Sequence, residues 1–339
     1  MKVEKKFYTN LAVLRIYLSF LVVSSHCFKP KPEITKKIMV KIIYNAIHVP
    51  TFYLLSFYFS YNFFITKNIK KIKIRFQRLL IPYFVWPIII WLTNNLLSFS
   101  YDKIHIISFK NLILQLLTGH YFVTVLWFQY NLIFVTLMII IIHLLFKREL
   151  VFYFLFNLMI LGFFLQYSNN NFTLFFKCEY IIKYTFGRFL EIITYCITGY
   201  IFSSLNIIHI LSKNIIISIN IFLSILIFNL QYTIFTKIDG FGYQGFKLYT
   251  SSISIFLIFS LIPSEKFLNK FIIKFIQFIS IYTPGIYFIH KSLYQYLCIF
   301  SILKNNALSS VIIIYFISYF ISLFGKLIFR KTKLINLFQ

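Results

Sequence analysis

A chain of 339 residues that is 60% hydrophobic and 22% aromatic, with a mean hydropathy of +0.81, has more apolar surface than a soluble domain can cover. A formal charge of +26 would point to nucleic acid in a soluble protein, but here the basic residues lie mostly between long apolar runs. Anionic headgroups and anionic substrates are therefore the expected partners, and nucleic acid is not.

Ten apolar runs separated by polar breaks predict an all-α, polytopic membrane protein. They cover 11–28, 44–65, 79–97, 121–146, 150–167, 187–205, 214–235, 248–263, 276–299 and 309–329. The eighth is short enough to be re-entrant. The first carries a charge and lacks a small-residue cleavage site, so it reads as a retained helix rather than a signal peptide. With the N-terminus placed in the cytoplasm, the cytoplasmic segments hold the larger share of the Lys and Arg. Both termini then come out cytoplasmic. No soluble domain, long linker or internal repeat interrupts 1–339, which reads as a single membrane-embedded domain. The lack of a repeat speaks against a repeat-built transporter.

Phe, Ile, Tyr, Asn and Lys are abundant and share AT-rich codons, so single aromatics carry little information. Arginine runs against that bias, and each of the six (Arg15, Arg75, Arg78, Arg148, Arg188 and Arg330) weighs more. In the first run, LAVLRIYLSFLVVSSHCF, Arg15 and His26 are eleven positions apart. That is about three turns, so both fall on nearly the same helix face, about 16 Å apart along the axis. Ionisable groups inside a span are costly and mark function by default. The bland alternative is that Arg15 snorkels and His26 sits at the interface.

His48 begins the second run on the expected outer side. Before the third, KNIKKIKIRFQR holds six basic residues and no acid. Arg75 and Arg78 are i,i+3 neighbours there, and the guanidinium fork suits phosphate. Pro82 should free a backbone carbonyl to face a cavity. His120 begins the fourth run, again on the outer side. Trp127 lies about two turns in, where it reads as packing. Arg188 and Glu191 open the sixth run and are expected to pair, with the orienting of a catalytic histidine as the alternative role for Glu191. His290 stands in the outer half of the ninth, within TPGIYFIHKSLY. Four of the seven histidines thus gather at one membrane face, and histidine is the commonest general base near neutral pH. Their spacing matches no zinc motif. The four cysteines (Cys27, Cys178, Cys196 and Cys298) form no C-x-x-C pair. No Walker loop, G-x-G-x-x-G, H-E-x-x-H or G-x-S-x-G is present.

Together these segments resemble the integral-membrane acyltransferase-3 family. Arg15 and His26 resemble its Arg, ten residues, His signature. HVPTFYLLSFYFS resembles the segment ending in Ser-Gly-Tyr or Ser-Gly-Phe, and RFQRLLIPYFVW the basic turn and Pro-Tyr of the third helix. LWFQYNL resembles the Leu-Trp-Phe of the fourth helix, GIYFIHKSL the late Tyr-x-x-His, and IFRKTKL the basic tail. One departure is Phe57, which stands where the family has glycine after the serine.

The resemblance implies a ten-helix enzyme of the bacterial cytoplasmic membrane. It implies a donor acyl-CoA, usually acetyl-CoA, presented from the cytoplasm, and a sugar hydroxyl of a surface polysaccharide or lipid-linked precursor as acceptor. Arg75 and Arg78 are then expected at the CoA phosphates, with Arg15 contacting phosphate too. His26 is expected as the base, either for direct attack or beside an acyl-enzyme step. The competing reading is a transporter or flippase of polysaccharide intermediates. A glycan polymerase is a third, disfavoured by the absence of a large outer loop.

Overall fold

The computed structural model describes residues 2–27, 47–66, 68–98, 106–119, 124–175, 180–235, 246–262, 268–299, 307–332 and 334–335. Within these residues every regular element is helical. The chain order is α1 (Lys2–Cys27), α2 (His48–Ile65), α3 (Ile69–Ser98), α4 (Phe109–Thr118), a 3₁₀ turn (Thr124–Leu126) and α5 (Trp127–Leu145). It continues with α6 (Arg148–Phe175), α7 (Tyr180–Ser204), α8 (Ile207–Ser212), α9 (Ile215–Phe235) and α10 (Phe246–Leu261). The last three are α11 (Lys270–Ser280), α12 (Thr283–Ile299) and α13 (Ala307–Ile328).

Helix is the form that satisfies every backbone group within one segment, which an apolar solvent demands. Hydroxyls inside the bundle follow the same rule. Those of Thr51, Ser60, Ser252 and Ser260 donate to carbonyls four residues back, at 2.6–2.7 Å. Among the described residues, four stretches are long and apolar enough to cross a membrane: Thr9–Cys27, Ile69–Ser98, Trp127–Leu145 and Ser309–Ile328. A fifth is the pair α11 and α12, which passes the same test together but is bent by 52° at its break. Large side chains such as Phe316, Phe320 and Phe324 recur at four-residue spacing on the exposed face of α13. Lipid is the solvent that suits such a stripe.

Several boundaries differ from the sequence expectation, and two of the differences shape the site. The third helix starts ten residues early and absorbs most of the basic segment, so Lys70, Lys71 and Lys73 stand on a helix rather than in a loop. The ninth run is split by the turn at Ile281 and Tyr282 into α11 and α12. The eleven-residue α11 keeps Ile273, Gln277 and Ser280 toward the protein and exposes Lys270, Phe271, Lys274 and Phe275.

The core is built on α2, which packs most extensively against α7. Gly199 makes this possible, since a Cβ there would collide with the Leu54 carbonyl. Tyr53 and Phe57 of α2 join Trp86 of α3, Val135 and Ile139 of α5 and Tyr195 of α7 in the main cluster. Two tyrosines fasten the start of α5. The Tyr53 hydroxyl donates to the Phe128 carbonyl at 3.1 Å and that of Tyr287 to the Val125 carbonyl at 3.3 Å. At its far end α1 packs through Val23 and Cys27 against Ile286 of α12 and Val311 and Ile314 of α13.

Candidate active site

The geometry starts from the proline in α3. Pro82 has no N–H, so the carbonyl of Arg78 loses its helical donor. Gln129 of α5 supplies one, its amide reaching the Arg78 carbonyl at 3.4 Å and that of Leu79 at 3.0 Å. This contact draws the start of α5 against the basic turn of α3 and closes one wall of a cavity of about 550 Å³.

The cavity is enclosed by five segments. Arg15 comes from α1; Phe52, Leu55 and Ser56 from α2; Arg78 and Leu79 from α3; and Phe128, Gln129 and Leu132 from α5. The break between α11 and α12 closes it with Ser280, Ile281, Thr283, Pro284, Tyr287 and Phe288. Two guanidinium groups from different helices thus share one space, and among the described residues no Asp or Glu lines it. Arg78 is exposed while it lines the wall. The Arg15 guanidinium sits 5.2 Å from the centre of the Phe59 ring, a cation–π contact that holds it at that level of α2. The Ser56 hydroxyl and the α12 N-terminus add neutral donors, while the hydroxyls of Ser280 and Thr283 already donate to the carbonyls of Gln277 and Ser280. The arrangement suits a ligand with an anionic head and a longer, partly apolar body.

Arg75 is placed differently. It does not line the cavity, and three hydroxyls take up its fork. Nε and one terminal nitrogen donate to Thr136 at 3.3 and 3.2 Å, the same terminal nitrogen donates to Ser56 at 3.2 Å, and the other donates to Ser60. The Phe57 ring lies beneath it, 5.2 Å from the guanidinium carbon. So the two arginines of the basic turn have separate settings. Arg78 faces the cavity, and Arg75 ties α3 to α2 and α5.

The histidines gather at the other end of the same helices. His26 and His290 have ring centres 5.0 Å apart, and His48 lies within electrostatic reach of both. His290 is fully buried, and its Nδ1 lies 3.1 Å from the Ile286 carbonyl. That bond requires the proton on Nδ1, which leaves Nε2 as an acceptor in the neutral ring. Among the described residues no group bonds Nε2 of His290 or Nδ1 of His48. Between histidines and cavity stands an aromatic septum of Phe52, Phe128 and Tyr287, whose ring centres are 5.0 to 6.5 Å apart. Tyr287 touches both sides, with its ring centre 6.0 Å from that of His290.

Of the remaining sequence candidates, Trp127 is half-buried at the start of α5, its ring 6.4 Å from that of Tyr53, and does not line the cavity. His120 lies outside the described residues. Glu191 and Arg188 fall within α7, but their side chains lie outside the described set. Sequence reasoning missed Gln129, Thr283 and Tyr287. The signal for Gln129 was present, because a proline inside a span requires a donor from a neighbouring helix. Among the described residues no group of three or more His, Cys, Asp or Glu is placed to hold a metal ion. No family model, no curated protein and no solved structure matches the chain.

Proposed function

We propose that this chain is a membrane O-acyltransferase of the acyltransferase-3 kind. It moves an acyl group, most simply acetyl, from cytoplasmic acyl-CoA to a sugar hydroxyl of a surface polysaccharide or its lipid-linked precursor. The observation that carries this reading is the division of the site into two ends. Arg15 and Arg78 share a cavity that no acid among the described residues lines, and His26 pairs with His290 about 16 Å further along α1. The nucleotide end of CoA is polyanionic and suits the first end, and a general base suits the second. In this reading the chain has about ten spans, both termini lie in the cytoplasm of a bacterial cell, and the cavity opens to the cytoplasmic side of the membrane.

In the direct mechanism His26 takes the proton of the acceptor hydroxyl as its oxygen attacks the thioester carbonyl. The C–S bond breaks, the acyl group leaves on the sugar oxygen, and the CoA thiolate is protonated. The donor arm passes between α1, α2 and α12 toward the histidines, and Tyr287 borders its path.

The test compares surface glycan from cells that carry the chain, lack it, or carry His26→Ala, with base-labile esters quantified by NMR. Loss of esters in both altered strains at unchanged glycan quantity is the expected result. Unchanged esters with altered glycan export would overturn it in favour of a transporter.

A further inference from the structure

The hydroxyl of Ser56 has an unusual setting for a serine inside a helix. Buried helical hydroxyls normally donate to the carbonyl four residues back, as Ser60 does to Ser56 in the next turn. Ser56 instead accepts from Arg75 at 3.2 Å, and a guanidinium can only donate. The oxygen's lone pair is therefore engaged from the protein side. Among the described residues no acceptor takes the hydroxyl's own proton, and the residue lines the cavity.

We infer that Ser56, held by Arg75, is a preset hydrogen-bond donor for a carbonyl oxygen of the acyl-thioester arm, which makes Arg75 a positioning residue rather than a phosphate ligand. This rests on the acyl-CoA reading above and adds a subsite to it. Level along the helix selects the carbonyl. Arg15 is held against Phe59, and Ser56 lies three residues nearer the histidines on the same helix. The anionic head belongs beside Arg15 and Arg78, so Ser56 meets the neutral arm one turn further in. The amides of a pantetheine arm present carbonyl oxygens of the right kind. Arg75 commits four of its five N–H donors to Thr136, Ser60 and Ser56, so its fork is not free for bidentate contact with phosphate. Phe57 reinforces the arrangement. It occupies the position of the family's glycine, is fully buried, and turns its ring under Arg75 and away from the cavity. The neighbouring side chain therefore leaves the Ser56 hydroxyl uncovered.

The experiment uses the full chain in lipid nanodiscs and measures binding of acetyl-CoA and of S-acetylpantetheine, which keeps the arm and lacks the nucleotide. For Ser56→Ala both dissociation constants should rise about three- to ten-fold, the worth of one neutral hydrogen bond. Ser56→Thr should stay within about two-fold of the parent, since it keeps the hydroxyl. Arg75→Lys should weaken both ligands, and the Ser56→Ala change should then add little, because the two residues act as one unit. Unchanged binding by Ser56→Ala overturns the inference, as does a loss confined to acetyl-CoA, which would place the hydroxyl at the phosphates. Failure of the parent chain to bind either ligand overturns the acyl-CoA reading itself.

Discussion

The Gln129 side-chain amide lies 3.4 Å from the carbonyl of Arg78, the carbonyl that Pro82 leaves without its helical donor. A residue on one helix repairs a break in another, and the repaired turn is the one that presents Arg78 to the cavity. Gln129→Ala should therefore cost about 1–3 kcal/mol of stability, because the carbonyls of Arg78 and Leu79 both lose its amide as a donor. In a Pro82→Ala background the helix regains its own bond, and the Gln129→Ala penalty should shrink. A double-mutant cycle of thermal unfolding in nanodiscs reads the coupling. Equal penalties in both backgrounds would show that the amide acts elsewhere.

Part of this was legible in the residues. Arg15 and His26 share a face because eleven positions make about three helical turns, and the structure places one at the cavity and the other at the histidine pair. The freed carbonyl at Pro82 follows from the ring's missing N–H. The identity of its donor does not, because helical spacing within α3 carries no information about which side chain of α5 stands opposite. The i,i+3 spacing of Arg75 and Arg78 likewise put them on one face, where one phosphate would meet both. Their long side chains diverge because Ser56, Ser60 and Thr136, from two other helices, offer three hydroxyls at one spot. The break at Ile281 was hidden for another reason. α11 is nearly as apolar as a span, and only the periodic placement of its buried side sets it apart.

Arg15→Gln and Arg78→Gln each remove one cation from a space that no acid among the described residues lines. A charge-assisted hydrogen bond contributes about 1.5–3 kcal/mol, so each should weaken acetyl-CoA binding by roughly ten- to a hundred-fold. S-acetylpantetheine, without the nucleotide, should lose far less. The parent chain should also bind acetyl-CoA more weakly as salt is raised, and each variant should show a shallower salt dependence. Titration at two ionic strengths measures both effects. A loss of the same size for the two ligands would remove the arginines from the phosphate end.

His26→Ala should abolish transfer and leave acetyl-CoA binding within about two-fold of the parent, since the histidine lies about 16 Å along α1 from Arg15. General-base removal costs about 10²- to 10⁴-fold. The release of CoA thiol in the presence of acceptor glycan, set beside a binding titration, separates the two quantities. Transfer at the parental rate would take the base role from His26, and lost binding would show that the substitution had disturbed the donor site.

Phe57→Gly restores the residue that the resemblance expects, and it should harm this chain. The ring is fully buried, stacks 6.3 Å from Phe64 at an interplanar angle of 15°, and lies under the Arg75 guanidinium. Removing it leaves a void beside a charge, and large-to-small substitutions of a buried phenylalanine cost about 3–5 kcal/mol. A glycine inside a helix adds about 1 kcal/mol more. If a family glycine serves close approach to a ligand, this chain meets that need differently, with the Ser56 hydroxyl turned into the cavity and Phe57 turned out of it. Thermal unfolding of Phe57→Gly and Phe57→Leu in nanodiscs should give a large drop for the first and a smaller one for the second, which still fills part of the space. Parental stability together with stronger acetyl-CoA binding in Phe57→Gly would mean that the ring obstructs the ligand rather than supporting Arg75.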